Sequence, residues 1–228
     1  LDYRRKHYVA AATVIVVAGA FDAERIVGDL KRHFANIPDQ VKQGKVATYE
    51  RQAKPEILVK YKESDQTHLV VGCRAFPVAD ERRYVLEVLT DILGGGMSSR
   101  LFERVRNELG AAYYVRAGAD LFSDHGFLAV SAGVHHNKLE QVVAAILGEF
   151  GRMRDEAVPP AELARVQDHL AGRLLLSLET SDELATFYGG AEVLSLPLES
   201  PETVLQKIHA VTAGDVQAVA KAVFQNIQ

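Results

Sequence analysis

The sequence predicts an α+β fold in two layers, a mostly antiparallel mixed sheet with helices packed on one face. Three observations predict it: β-branched runs in the first two thirds, two short polar turns that join such runs as hairpins, and a last third that is helical throughout. With 228 residues and 48% hydrophobic content there is enough apolar side chain for one well-filled core, and no low-complexity linker divides it. Residues 1–228 are therefore expected to form a single domain.

In chain order, Thr13 to Ala20 is a continuous β-branched and small run, the pattern of a strand buried on both faces. Asp22 to Phe34 follows with Ile26, Val27 and Leu30 at helical spacing. Asn36 to Pro55, polar and interrupted by prolines, reads as a surface connection. Two strands are expected over Glu56 to Lys62 and Thr67 to Phe76, joined by a tight turn at Glu63-Ser64-Asp65 and so antiparallel to each other. Helices are expected over Asp80 to Leu93 and Ser99 to Leu109, then a second hairpin pairing Ala112 to Phe122 with Gly126 to Val134 across Ser123-Asp124-His125-Gly126. Four more helices are expected, over Lys138 to Arg154, Pro160 to Leu178, Ser181 to Val193 and Ala213 to Ala222. Pro160 suits a first helical turn, and Thr180 or Ser181 suits a cap.

Composition excludes several partners. A formal net charge of -4 with a pI near 6.1, and mixed signs along each helix, argues against nucleic acid or an anionic membrane surface. No apolar stretch approaches the roughly 18 residues of a membrane span, and Leu1 to Tyr8 is charged rather than signal-like. Cys73, the single cysteine, has no internal disulfide partner and sits in the apolar run LVVGCRAF as a small buried strand residue rather than a nucleophile.

Chemistry concentrates in LGGGMSSRLFERVRNELGAAYYV, Leu93 to Val115. The glycines Gly94, Gly95 and Gly96 interrupt a helix, and Ser98 or Ser99 can cap the next one. Leu101, Phe102, Val105 and Leu109 form an apolar stripe, with Arg106 on its flank. Gly110 stands where helices end in a left-handed turn, and Tyr113, Tyr114 and Val115 enter a strand. Arg106 and Tyr113, seven positions apart across a helix end, can direct a guanidinium fork and a phenol toward one peptide carbonyl. Against this, an arginine on a helix flank is usually solvated and a strand tyrosine usually packs. The glycine run has two readings of equal weight: close backbone approach to a substrate, or a helix break required by topology.

The same segment resembles the second-domain signature of the M16 metallopeptidases, the pitrilysin and mitochondrial-processing-peptidase family. Its glycine run, S-R-L-F, R and a later Y are matched by Gly94 to Gly96, Ser99, Arg100, Leu101, Phe102, Arg106 and Tyr113. The opening KHYVAAATVIVVAGAFDAERI is similar to the family's entry into this domain, and Gln66, His68 and LVVG to its next strand. The resemblance covers about Tyr3 to Val223 and implies the LuxS/mitochondrial-processing-peptidase-like metallohydrolase fold. It implies that Tyr113 acts catalytically by donating to a substrate carbonyl, that Arg106 fixes either the peptide backbone or the tyrosine, and that Arg106 and Gly94 to Gly96 bind substrate. It also implies a zinc ion held by a separate M16 N-terminal-type domain or subunit, a peptide substrate, and a closing strand after the last helix that this chain lacks.

No H-x-x-E-H occurs here, and none of the eight histidines pairs at the spacing of two ligands on one helical face. His135 and His136 are adjacent, and neighbours on a strand point to opposite faces. His33, His125, His169 and His209 are scattered, with nothing nearby to complete a site. The chain alone is expected to hold no metal and cut no peptide. Its face toward the zinc-bearing half is expected to be partly apolar and to bind that half or a second copy of this chain as a homodimer. A catalytically silent homologue that holds peptides or organises a complex is the alternative. Tyr114 is expected to face away from Tyr113.

Overall fold

The computed structural model describes residues 1–225. Its elements are α1 Asp2–His7, α2 Ala23–His33, β1 Thr67–Ala75, α3 Arg83–Gly94, a widened helical segment Phe102–Glu108, β2 Ala112–Leu121, β3 Gly126–Val134, α4 Leu139–Asp155, α5 Pro160–Leu176, α6 Ser181–Val193, α7 Pro201–His209 and α8 Ala213–Val223. Short 3₁₀ turns occupy Ala10–Ala12 and His136–Lys138. Contacts divide the described residues into two compact units, one of residues 1–47 with 174–199, the other of residues 48–173 with 200–225.

The larger unit carries the sheet, whose strand order is β1-β3-β2 with both pairings antiparallel. The hairpin of β2 and β3 closes through Phe122, which donates its N–H to the His125 carbonyl at 2.8 Å. Alternation along each strand sends Leu69, Val71 and Cys73 of β1, Leu128, Val130 and Ala132 of β3, and Val115 of β2 inward, while His68, Val70, Arg116 and Asp120 lie on the open side. Helices α3, α4 and α8 cover the inward side. Their apolar stripes fill it with Leu86, Leu89, Ile146 and Phe150, and Phe150 stacks on Phe224 at 4.3 Å between ring centroids. Each such fully buried large side chain contributes about 1.5–3 kcal/mol. The two layers and one-sided helices match the fold class read from the sequence.

Caps account for several helix starts. Thr180 at α6 and Thr212 at α8 each form a capping box, with Glu183 and Asp215. Pro160 opens α5. Sequence reading passed over α7, whose start carries Ser200 as cap and Pro201 in the first turn. Its end is held from α5, where buried Gln167 donates Nε2–H groups to the carbonyls of Ile208 at 3.0 Å and Val211 at 3.0 Å.

Two expected strands are corrected. Glu56 to Lys62 forms no strand, and the hairpin at Glu63-Ser64-Asp65 does not pair it with β1, which pairs β3 instead. Ile57, Leu58 and Val59 are at least 84% exposed, so the segment buries no face that would offset the entropy of ordering it. In the smaller unit Thr13 to Ala20 runs without a strand partner, and Val14 to Val17 are 37–42% exposed rather than doubly buried. It is fixed locally: Thr13 donates its hydroxyl to the Val9 carbonyl at 2.9 Å, and Val16 lies against Gly189 of α6. The chain's tail beyond Gln225, where the expected lack of a closing strand would show, lies outside the described residues.

Candidate functional site

The candidate clamp is built where the widened helix turns into β2. Leu101 and Val105 are fully buried, and Phe102 and Leu109 pack beside them, so the apolar stripe pins this helix to the core and leaves Arg106 outside. The helix is wider than an α-helix: Leu109 donates its N–H to the Arg104 carbonyl at 3.2 Å, five residues back. Ser99 stands just before this helix and its carbonyl accepts from the Glu103 N–H at 3.0 Å, while its hydroxyl donates to the Gly96 carbonyl at 2.6 Å. The far end is closed by Gly110 in the left-handed region at φ 52° and by Lys138, whose Nζ donates to the Leu109 carbonyl at 2.7 Å.

Arg106 and Tyr113 meet there. Arg106 Nη1 donates to the backbone carbonyl of Tyr113 at 2.6 Å, and the guanidinium lies 5.2 Å from the centre of the Phe102 ring one turn back. One arm of the fork thus fixes the strand, and among the described residues the others have no partner. Tyr113 is the extra residue of a bulge, since Ala112 pairs Val134 while Tyr114 pairs the next residue, Gly133. The bulge breaks the alternation expected of neighbouring tyrosines. Tyr113 is 53% exposed, 4.8 Å from the His135 ring, with no hydrogen bond to its hydroxyl among the described residues. The Tyr114 ring edge lies beside Gly133, and its hydroxyl is 3.2 Å from His68 Nδ1.

Two glycines of the run, Gly94 and Gly95, are held tightly by packing, whereas at Gly96 a Cβ would meet only the His169 ring at 3.8 Å. Gly94 is buried, and a Cβ there would stand 2.3 Å from the Ala117 nitrogen of β2. Gly95 leaves room for the Asp91 carboxylate, which a Cβ would meet at 1.8 Å. That carboxylate anchors a cluster the sequence did not reveal. Asp91, 6% exposed, accepts from His169 Nδ1 at 2.8 Å and from Arg173 Nη1 at 3.4 Å, and Arg173 also lies 3.7 Å from Glu87. The available signal was two complementary pairs at helical spacing, Glu87 with Asp91 and His169 with Arg173. Nearby, Arg100 makes a bidentate pair with Glu162 at 2.9 and 2.7 Å.

Among the described residues no three His, Cys, Asp or Glu side chains converge as a metal site. His136 has both ring nitrogens engaged, Nδ1 with the Thr67 hydroxyl at 2.7 Å and Nε2 with the Ser64 carbonyl at 3.0 Å. Cys73 faces the core, and burial pushes its thiol up to about 11. No helix among the described residues is long and apolar enough to cross a membrane.

Comparison with known proteins gives a consistent result. Residues 1–170 match the family model described as the peptidase M16 inactive domain. The chain is 30% identical to YmxG of Bacillus subtilis, named an uncharacterized zinc protease, over 98% of this chain and 54% of that protein. It is 30% identical to an uncharacterized zinc protease of Streptomyces coelicolor over 97% of this chain and 50% of that one. The chain spans about half the length of the curated relatives it matches. A crystal structure described as a peptidase M16 inactive domain from Pseudomonas fluorescens superposes with a TM-score of 0.86 at 20% identity, over 97% of this chain and 53% of that one. A protease from Helicobacter pylori superposes at 0.81 and 18% identity, over 92% of this chain and 52% of that one. At such identities these two structures speak to the fold.

Proposed function

The chain belongs to the peptidase M16 family, in its inactive-domain group, and from that premise we propose that it is the substrate-clamping half of a zinc endopeptidase. The observation that carries this is the Arg106–Tyr113 pair: the arginine gives one N–H to the bulged strand, and the phenol stands half exposed with its hydroxyl free among the described residues. A peptide laid along this edge meets Tyr113 as a donor to a carbonyl oxygen, strongest when that oxygen carries the charge of the tetrahedral intermediate. The other N–H groups of Arg106 hold the neighbouring backbone. The relatives' names as zinc proteases support a metal-dependent whole protein. Among the described residues no donor set fits a zinc ion, and on this reading the ion is held by the zinc-bearing half, fused or separate.

The second reading, a catalytically silent homologue that holds peptides or organises a complex, is separated from the first by recombination. The chain and the zinc-bearing half are assayed alone and mixed, on a quenched peptide library, with elemental analysis of each after dialysis. The proposal expects no stoichiometric zinc and no cleavage from this chain alone, and cleavage from the mixture. A mixture that associates and binds peptide without cutting it establishes the scaffold reading.

A further inference from the structure

Beside the glycine run lies a cavity of about 310 Å³, bounded by the end of α3, the loop from Gly96 to Ser99, and one face of α5 from Glu162 to His169. Its acidic groups are already neutralised within the fold. Glu162 is held by Arg100, and Asp91 by His169 and Arg173. Its basic groups are only partly engaged. Among the described residues Arg165 forms no ion pair, and Nε2 of His169, whose Nδ1–H donates to Asp91, has no partner; that nitrogen is a donor in the doubly protonated ring and an acceptor in the neutral one. The two stand four residues apart on α5, so their donors share one face one turn apart. Ile92 and Val166 supply an apolar wall. With the His169 ring doubly protonated, two convergent donors beside an apolar wall match an acid group carried next to a hydrophobic side chain.

We propose that this cavity binds the carboxylate of a peptide, with Arg165 and, in the imidazolium form of the ring, His169 Nε2 as donors and the Ile92–Val166 wall taking the adjoining side chain. It rests on the clamp proposal only in choosing a peptide as the carrier. Asp91 acts through His169, as a positioning residue that fixes which imidazole nitrogen faces the ligand. A carboxylate so held anchors one end of a short peptide and limits where along it a partner can cut.

The test is a ¹⁵N chemical-shift titration of the 228-residue chain at low salt and about pH 5.5, below the ordinary imidazole range, with N-acetyl-Ala-Ala-Leu as the free acid, the same peptide as its amide, and N-acetyl-Ala-Asp-Leu amide. The free acid should saturate shifts in the glycine loop and in α5 and bind about tenfold more tightly than the Ala-Ala-Leu amide, the scale of one lost charge-assisted bond. Arg165→Ala, on an exposed side chain, and His169→Asn, which keeps a donor toward Asp91, should each erase that preference while leaving the amide's affinity unchanged. If the aspartate amide matches the free acid, the site stands and takes acidic side chains; if the free acid wins, it takes peptide ends. Equal binding of all three peptides, or an acid preference that survives in a folded Arg165→Ala protein, overturns the proposal. No turnover is measured, so failure here leaves Arg106 and Tyr113 untouched, and their failure leaves this site untouched.

Discussion

Replacing Gly94 by alanine tests whether the glycine run is there for packing. A Cβ built at Gly94 stands 2.3 Å from the Ala117 nitrogen and 2.8 Å from the Ala117 Cβ. Both neighbours belong to β2, so no side-chain rotation relieves the overlap. Ordinary contact needs about 3.5–4.0 Å, and α3 and β2 must therefore separate by roughly an ångström at the centre of the core. Overpacking of this kind costs about 1–3 kcal/mol, occasionally more, and the gain in helix propensity returns less than about 1 kcal/mol at a helix's last residue. A net loss of about 2 kcal/mol corresponds to a fall in Tm of roughly 4–8 °C for a chain of this size. Gly148 in α4 is the control, because nothing lies within 4 Å of a Cβ there. Gly148→Ala should raise Tm by about 2–4 °C through helix propensity alone. Melts followed by circular dichroism on both variants decide the matter. Gly94→Ala melting at or above wild type would refute the close-packing account and return the run to substrate contact as its first role.

Other consequences are read directly. Cys73, its thiol pushed up to about 11 by burial, should react with iodoacetamide at pH 8 far more slowly than a free thiol, and at the same rate as the free thiol once the chain is unfolded. Thr212→Ala removes the cap of α8 and should cost about 1 kcal/mol, seen as a fall in Tm of roughly 2–4 °C. In the same capping box, hydrogen bonds from the Thr212 hydroxyl and backbone hold the Asp215 carboxyl below the ordinary 3.8. A carboxyl lowered by folding stabilises the native state above its unfolded value and loses that contribution as pH falls through the folded one. Asp215→Asn should therefore melt below wild type at pH 7, with the gap closing below about pH 4.

Much of the fold was legible in the sequence because its signals were local. The β2–β3 hairpin announces itself by Ser123-Asp124-His125-Gly126 between two β-prone runs, and α2, α4, α5, α6 and α8 by periodicity and caps. The segments over Thr13 to Ala20 and Glu56 to Lys62 have equally strong β character, but a strand exists only with a partner, and partner choice is a long-range outcome that composition does not encode. At the clamp, spacing placed Arg106 and Tyr113 at one helix end. The bulge at Tyr113 and the arginine's bond to that residue's own carbonyl depend on the register against Val134 and Gly133, which no local pattern carries. His169 appeared isolated for the same reason: its partner, Asp91, lies 78 positions away in an apolar helix.

The central claim is that Tyr113, positioned by Arg106, donates to the developing oxyanion of a peptide held against the zinc-bearing half. Steady-state kinetics of Tyr113→Phe in the recombined enzyme test it most directly, beside Tyr114→Phe as control. The phenylalanine keeps the ring against His135 and should leave the melt unchanged, since the lost hydroxyl has no partner among the described residues. Arg106→Lys, which keeps the charge and loses the planar fork, should weaken peptide positioning. The account predicts that Tyr113→Phe lowers kcat by roughly 10² to 10³ with a smaller change in KM, while Tyr114→Phe does little. Wild-type turnover in a well-folded Tyr113→Phe enzyme would contradict it and leave Tyr113 an ordinary bulge tyrosine.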